Sequence, residues 1–155
     1  MFYLFGGEYD EVKDVQTFTS LWFFDVIYNT WNRTTPSETQ NGISWPAFGA
    51  GVVTEAGTAY YYGGYLSNKT TPRWGGDPLM LSSLISFDMN TQTWSNRSYD
   101  DTQRAGGILQ YIPASSKGML VYFGGLETDT NGAVRYVSQS TSPLLEDANS
   151  MCRQT

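Results

Sequence analysis

The sequence predicts an all-β protein that is built from a repeated unit. Three times along the chain an aromatic-rich apolar stretch runs directly into a glycine pair. The three pairs are Gly6-Gly7, Gly63-Gly64 and Gly124-Gly125. Twice, a Phe-Asp pair is followed by a tryptophan six residues after the aspartate. No stretch of the chain shows the sustained apolar period of a capped helix.

The spacing of these motifs is regular. Asp25 and Asp88 are 63 positions apart, and Trp31 and Trp94 are also 63 positions apart. The second and third glycine pairs follow the preceding pair at 57 and 61 positions. Self-similarity over tens of residues is the signature of a repeat architecture, so each period is expected to form one small sheet.

The apolar runs within each repeat are typical of strands. They are short, rich in β-branched and aromatic residues, and bounded by glycine, asparagine, threonine or proline. Residues 1–33 are expected to provide the second, third and fourth strands of a first unit. The second unit, residues 48–96, is predicted to be complete, with strands at 51–54, 58–62, 84–88 and 93–96.

The third unit, residues 106–137, is predicted to be partial. Its strands are expected at 107–112 and 119–123, with a third near 133–137. Beyond it the chain departs from the pattern, because no Phe-Asp pair follows the third glycine pair and no tryptophan follows Trp94. Residues 138–155 are therefore predicted to form an irregular or disordered tail.

These motifs resemble the kelch repeat of β-propellers over residues 1–137. In that family an apolar second strand ends in a glycine pair, a third strand carries an apolar residue before aspartate, and a tryptophan follows in the fourth strand. The resemblance implies about two and a half four-stranded antiparallel blades, whereas closed propellers have about 4–8. The remaining blades are expected in a parent chain, and two exposed blade faces should keep the isolated chain from behaving as a stable monomer.

Each motif residue has an expected structural role. The glycine pairs permit close backbone approach or positive φ. Trp31 and Trp94 are expected to fill the wedge between neighbouring blades. Asp25 and Asp88, at strand ends, are expected to accept N–H groups of the following turn.

Composition excludes several functional classes. The net charge is −6 and the basic residues are scattered, so no nucleic-acid footprint is expected. No apolar stretch is long enough to span a bilayer, and the single cysteine, Cys152, allows no disulfide within the chain. An acidic cluster after the first glycine pair is expected to be a solvated loop, with a calcium site as the less favoured reading. Its members are Glu8, Asp10, Glu11 and Asp14.

Catalysis by this chain alone is not expected. It contains no histidine, so it offers neither an imidazole base for a nucleophile nor the ligands that kelch-type copper oxidases require. Adjacent carboxylates at 100–101 and 146–147 point apart on an extended chain. We therefore expect a binding module without metal or cofactor. The alternatives are a part of a secreted carbohydrate-active or oxidase-type enzyme whose catalytic residues lie outside this chain, and a fragment with no function of its own.

Loop lengths indicate which face would bind a ligand. In an up-and-down blade, the loops between the second and third strands share one face with the links between blades. In this chain these connections are longer than the turns on the other face, and long loops on a rigid scaffold are where binding residues concentrate. Candidate ligand-binding residues in these loops are Trp45, Arg73, Trp74 and Asp77. Aromatic rings with polar neighbours suit a sugar or a peptide, so the expected partner is a carbohydrate or a protein.

Candidate glycosylation sites indicate the cellular compartment of the protein. Asn32, Asn68 and Asn96 each begin an Asn-X-Ser/Thr sequence, and two of them follow the repeat tryptophans in what read as equivalent positions. With the tyrosine- and threonine-rich composition, this pattern resembles extracellular kelch proteins of filamentous fungi, which often carry a separate membrane anchor. The resemblance implies an extracellular or cell-surface location, the alternative being a cytoplasmic scaffold with incidental acceptors.

Overall fold

The computed structural model describes residues 2–8, 21–34, 43–71, 75–98, 102–114, 118–128, 132–136 and 144–146. Every regular element within these residues is a β-strand, which confirms the predicted all-β fold class. The strands are β1 (Phe2–Leu4), β2 (Leu21–Asp25), β3 (Thr30–Thr34), β4 (Ala50–Val53), β5 (Thr58–Tyr62), β6 (Tyr65–Leu66), β7 (Leu79–Met80), β8 (Ser83–Asp88), β9 (Thr93–Ser98), β10 (Arg104–Ala105), β11 (Ile108–Ile112), β12 (Met119–Phe123), β13 (Leu126–Thr128), β14 (Val134–Tyr136) and β15 (Leu144–Glu146).

Three antiparallel sheets follow the three repeats. Sheet 1 has the order β1-β2-β3, sheet 2 the order β4-β5-β8-β9, and sheet 3 the order β11-β12-β15. Strands β1, β5 and β12 are the aromatic-rich runs that precede the glycine pairs. Successive side chains along a strand point to opposite faces of the sheet. When the three strands are aligned by their glycine pairs, residues at the same aligned position therefore point to the same side of their sheets.

The predicted strand near 133–137 forms as β14, but it belongs to a different sheet. The segment near 133–137 does not add to sheet 3, because β14 pairs with β13 in a separate small sheet. Strand β15 pairs with β12 instead, although it lies in the tail that was predicted to be irregular. A strand of three residues is too short for alternation to be visible in the sequence, while the backbone edge of β12 still requires a hydrogen-bonding partner.

A second layer covers the ends of sheets 2 and 3 where the glycine pairs lie. It contains the hairpin β6-β7 and the sheet β10-β13-β14. Isolated bridges from Ala47 to Tyr65 and from Leu81 to Arg104 connect these pieces to the segments that lead into β4 and β11. The long loops are thus joined by backbone hydrogen bonds into one layer, which we call the glycine-pair face.

The two repeat aspartates begin equivalent turns at the opposite end of the sheets. Asp25 Oδ1 accepts the N–H groups of Ile27 and Tyr28 at 2.9 and 3.3 Å. Asp88 Oδ1 accepts those of Asn90 and Thr91 at 2.8 and 3.1 Å. These bonds lower the pKa of Asp88 because they favour the charged carboxylate, and the bond from Thr91 has the larger effect. The turns fix the register of β2 with β3 and of β8 with β9.

Sheets 1 and 2 pack through aromatic rings. Trp94 lies with its ring centroid 4.5 Å from Phe87, 5.5 Å from Trp45 and 5.8 Å from Phe5. Leu21 of sheet 1 and Ile85 of sheet 2 belong to the same buried cluster. Buried aromatic pairs add about 0.5–1.5 kcal/mol each beyond the area they bury, so this cluster is a major source of stability.

Sheets 2 and 3 pack through equivalent positions. Their shared core consists of Ala50, Tyr62, Leu84, Leu109, Leu120 and Tyr122. Tyr62 directly precedes its glycine pair, as Phe5 and Phe123 precede theirs. Phe5 and Tyr62 therefore have equivalent structural roles, because each fills the space between its own sheet and the next.

The outer faces of sheets 1 and 3 carry the equivalent packing residues, but no adjacent sheet covers them among the described residues. Trp94 is 9% exposed between two sheets, whereas its equivalent Trp31 is 51% exposed on sheet 1. Tyr62 is 0% exposed, whereas its equivalent Phe123 is 41% exposed on sheet 3. The repeat thus presents its packing surface wherever an adjacent sheet is lacking.

Backbone contacts between sheets centre on the glycine pairs. We call residues 43–49, which lead into β4, connector 2, and residues 102–107, which lead into β11, connector 3. The N–H of Gly7 donates to the Pro46 carbonyl at 3.3 Å, and that of Gly64 donates to the Arg104 carbonyl at 2.8 Å. Pro46 and Arg104 each stand four positions before the inner strand of the next sheet. The first two glycine pairs therefore each hold the connector of the following repeat.

The glycine pairs need glycine for two separable reasons. All six residues have positive φ, between 67° and 120°. In addition, a Cβ on Gly63 would collide with the Arg104 carbonyl oxygen, whereas a Cβ on the equivalent Gly124 would meet no described atom within 4 Å. Gly63 and Gly124 have similar φ angles of 68° and 73°, so they share the conformational reason but not the steric one.

This pair of glycines gives a matched stability test. Gly124→Ala should lower the free energy of unfolding by about 1–2 kcal/mol, the cost of a left-handed alanine. Gly63→Ala should lower it by about 1–3 kcal/mol more, because the methyl group also displaces connector 3. Urea unfolding of both variants measures the difference. Equal losses would show that the close approach of the connector contributes nothing.

Candidate binding site on the glycine-pair face

Tyrosine hydroxyl groups hold the connectors in place. Tyr61 Oη accepts the N–H of Gly49 at 2.8 Å and donates to the Pro46 carbonyl at 3.1 Å. The equivalent Tyr122 accepts the N–H of Gly107 at 3.0 Å. Burial raises the pKa of Tyr61 to about 12, although the Gly49 N–H partly opposes this change. The neutral phenols thus anchor the last residue before each inner strand.

Phe48 in connector 2 has an unusual backbone conformation. Its φ is 56°, and its equivalent in connector 3 is Gly106, with φ 70°. The N–H of Gly106 donates to the Phe48 carbonyl at 2.6 Å, so the two connectors meet at this position. A left-handed conformation is uncommon for a bulky residue and costs about 1–2 kcal/mol. Glycine would fit here without that cost, yet connector 2 carries an aromatic side chain.

The Phe48 ring is presented to solvent beside a polar group. It is 62% exposed and stacks on Tyr65 with a centroid distance of 5.3 Å and an interplanar angle of 14°. The Tyr65 hydroxyl donates a short hydrogen bond to the Glu8 carboxylate. Desolvation and the Glu8 carboxylate raise the pKa of Tyr65 to about 12. We call Glu8, Phe48 and Tyr65 the aromatic–acid cluster.

An ion-pair network lies in the same layer and has a structural role. Arg104 is buried, donates to Tyr62 Oη at 3.2 Å and lies 3.6 Å from the Glu127 carboxylate. Arg135 donates to Glu127 Oε1 at 2.9 Å from the exposed side. Because Glu127 is buried and each oxygen faces an arginine, the network ties connector 3 to β13 and β14.

The structure describes two of the four predicted ligand-binding residues, Trp45 and Asp77. Trp45 is 7% exposed, with its ring 4.7 Å from Phe5 in the core between sheets 1 and 2. Its ring also lies 5.5 Å from that of Trp94, so most of its surface is covered by the packing of the two sheets. Asp77 is exposed in the connection between β6 and β7. Arg73 and Trp74 lie outside the described residues.

Sequence reasoning missed the aromatic–acid cluster. Glu8 was grouped with Asp10, Glu11 and Asp14, which lie outside the described residues. Phe48 carried no motif, and Tyr65 belonged to a two-residue strand that alternation could not reveal. The available signal was the alignment of Phe48 with Gly106, which places an aromatic residue where the sister repeat has glycine.

The three asparagines of the Asn-X-Ser/Thr sequences are all exposed, but Asn32 and Asn96 do not occupy equivalent positions in their sheets. Trp31 pairs with Phe24 and Trp94 with Phe87, so Asn32 is one position and Asn96 two positions beyond its tryptophan. Consecutive strand residues point to opposite faces, so these two asparagines lie on opposite faces of their sheets. At the third site, the Thr70 hydroxyl is buried and accepts the Ser67 N–H at 2.8 Å.

Two further structural properties concern metals and membranes. Among the residues described, no group of three or more histidine, cysteine, aspartate or glutamate side chains could hold a metal ion. Nor does this part of the chain contain a helix of the length and hydrophobicity that a membrane span requires.

The tyrosine anchor predicts a pH dependence of stability. The pKa of Tyr61 in the fold is about 12, above its ordinary value of 10.0. The neutral phenol therefore stabilises the fold fully below pH 10, and this contribution is lost as the pH rises through 12. Tyr61→Phe should cost about 1–2 kcal/mol at pH 8, because it removes the partner of the Gly49 N–H. Its free energy of unfolding should then fall less steeply between pH 10 and 12 than that of the wild type.

Urea unfolding at a series of pH values measures both effects. Tyr65 and Tyr122 also have raised pKa values, so part of the alkaline decline should persist in the variant. An unchanged alkaline slope in Tyr61→Phe would contradict the assigned anchor.

Comparison with known proteins agrees with this geometry. No protein-family model matches the chain. A kelch repeat-containing protein of the fungus Arthroderma benhamiae is 26% identical over an alignment of 167 residues, which covers 83% of this chain. The alignment covers 25% of that protein, so the chain spans about a quarter of its length. With the repeated glycine pairs and Asp-to-Trp motifs on successive antiparallel sheets, this similarity supports a kelch-repeat relationship.

Proposed function

We propose that the chain is a binding module rather than an enzyme and that its ligand contacts the glycine-pair face at Phe48. The observation that carries the proposal is the strained, exposed Phe48 side chain at a position where the sister repeat has glycine. Strained backbone that the surrounding structure maintains is found preferentially at functional sites. The kelch-repeat relationship supports a role in protein interaction.

The chemistry of the aromatic–acid cluster suits a ligand with an apolar surface and a hydrogen-bond donor. One face of the Phe48 ring is covered by Tyr65, which holds the ring rigid for contact on its other side. The Glu8 carboxylate, held by the Tyr65 hydroxyl, accepts donors beside this ring. Aromatic rings with few rotatable bonds lose little entropy on binding, which favours them as contact residues for proteins and glycans.

The location of the cluster also supports a binding role. Connector 2, β6 and the residue after the first glycine pair meet at the cluster, so repeats 1 and 2 both contribute to it. Loops held on a rigid sheet scaffold are where binding residues concentrate. Binding here leaves the aromatic core between the sheets unchanged.

A substitution at Phe48 separates binding from stability. Phe48→Gly should relieve about 1–2 kcal/mol of left-handed strain and lose about 0.5–1.5 kcal/mol of ring stacking, so stability should change by less than about 1 kcal/mol. Ligands are first identified with glycan and peptide arrays on the unmodified chain. Affinity for any ligand found should then fall at least about tenfold in Phe48→Gly.

The matched control is Tyr28→Ser. Tyr28 is exposed in the turn between β2 and β3, at the opposite end of the sheets from the glycine pairs. The Tyr28→Ser variant should bind every ligand with the affinity of the wild type. Retained binding in Phe48→Gly together with loss in Tyr28→Ser would assign the function to the other face.

We further propose an extracellular or cell-surface setting, which the three exposed acceptor asparagines support. Expression through a secretory pathway, followed by intact mass measurement before and after enzymatic deglycosylation, tests this. Glycan should be found on at least one of Asn32 and Asn96, and Asn→Gln at the occupied position should remove it. A secreted chain with the unmodified mass would count against this setting.

A further inference from the structure

The aromatic–acid cluster differs from the equivalent contact one repeat further on. Where repeats 1 and 2 meet, the residue after the first glycine pair is Glu8, the left-handed connector position is Phe48, and the residue after the second pair is Tyr65. Where repeats 2 and 3 meet, the aligned residues are Tyr65, Gly106 and Leu126. The second contact forms without a carboxylate or an exposed connector ring, so sheet packing requires neither group.

Both of the additional groups attract positive charge. The face of an aromatic ring is the negative part of its quadrupole, and a cation within about 6 Å of the ring centroid is attracted to it. Phe48 is 62% exposed and stacks on Tyr65 with one face only. The Glu8 carboxylate is one hydrogen bond from Tyr65, so it lies within about 10 Å of the Phe48 ring, the Debye length at 0.1 M salt.

The charge of Glu8 is not neutralised by the described part of the chain. Its Oε1 atom accepts a hydrogen bond from the Tyr65 hydroxyl, which is neutral because its pKa is raised to about 12. The buried Arg104 in the same layer is directed to Tyr62 and Glu127 instead. Glu8 is itself exposed, so the cluster presents a full negative charge and a ring face to the same solvent.

A guanidinium group suits this pair of features better than other ligand groups do. The net charge of −6 attracts cations to the protein and repels anions. A guanidinium is planar, stacks on aromatic faces, is weakly hydrated, and presents forked donors that match a carboxylate. An ammonium group is more strongly hydrated and has no flat face to place on the ring. A neutral sugar would bring no charge opposite to that of the carboxylate.

Building on the binding role proposed above for this site, we propose that the aromatic–acid cluster binds an arginine side chain of a partner protein. The guanidinium stacks on the open face of Phe48, and the Glu8 carboxylate supplies the opposite charge. Tyr65 positions both groups through its ring and its hydroxyl, and its backbone exchanges hydrogen bonds of 3.0 and 2.9 Å with Ala47. A site held in this way loses little entropy when the ligand binds.

Two small probes test the proposal by NMR titration of the unmodified chain labelled with nitrogen-15. N-acetyl-arginine amide carries the guanidinium, and N-acetyl-citrulline amide has nearly the same shape without the charge. The arginine probe should shift the amide signals of Phe48 and Tyr65 along a saturating curve. The citrulline probe should bind at least about tenfold more weakly, because it lacks the charge that the ring and the carboxylate attract. Added salt should weaken binding of the arginine probe.

Variants of the chain assign the two contributions. Glu8→Gln removes the charge but keeps an oxygen that accepts the Tyr65 hydroxyl, and it should weaken binding of the arginine probe at least about threefold. The matched control, Glu55→Gln, removes the same charge from the exposed turn between β4 and β5 and should leave binding unchanged. Phe48→Leu keeps an apolar side chain without a π face and should weaken binding at least about threefold.

Failure of arginine recognition can be distinguished from failure of the proposed function. No binding of the arginine probe, equal binding of the two probes, or equal effects of Glu8→Gln and Glu55→Gln would overturn the arginine proposal. An uncharged array ligand that requires Phe48 but not Glu8 would also overturn it, while the binding role of Phe48 would stand. Array ligands that bind Phe48→Gly as tightly as the wild type would instead contradict the proposed function.

Discussion

One hydrogen bond organises the contact between successive sheets: a glycine-pair N–H donates to a carbonyl of the next connector. It occurs from Gly7 to Pro46 and again from Gly64 to Arg104. Because the acceptors stand four positions before their inner strands, the bond sets where each new sheet starts relative to the previous one. Aromatic residues before the glycines then fill the space between the sheets, as Phe5 and Tyr62 do.

The candidate binding site is a consequence of the same arrangement. The connector approaches so closely that its residue two positions before the inner strand takes a left-handed conformation. Gly106 meets this requirement without strain, whereas Phe48 meets it at a cost and directs a ring toward solvent. The packing of the sheets fixes the backbone, and the choice of side chain at that one position makes the surface chemically distinct. The proposed binding role therefore depends on the connector and not on the sheets themselves.

The motifs in the sequence were sufficient for the fold but not for the site. The glycine pairs and the Asp-to-Trp spacing predicted the strands of sheet 2 within one or two residues at each end. The glycine pairs recur beside all three sheets, and the Asp-to-Trp motif recurs in sheets 1 and 2. Strands of two or three residues, such as β6 and β15, escaped detection because alternation needs more residues than they contain. Trp45 looked like a loop aromatic, yet its ring packs on Phe5 from a distant strand, a contact that local sequence does not reveal.

Amide hydrogen exchange shows whether the connector of the next repeat holds each glycine pair. Gly64 donates its N–H to Arg104, whereas Gly125, at the equivalent position, has no following connector among the described residues. We expect strong protection of the Gly64 amide and exchange of the Gly125 amide that is faster by orders of magnitude. Equal protection of the two amides would contradict the claim that the next connector, and not the local turn, holds each glycine pair.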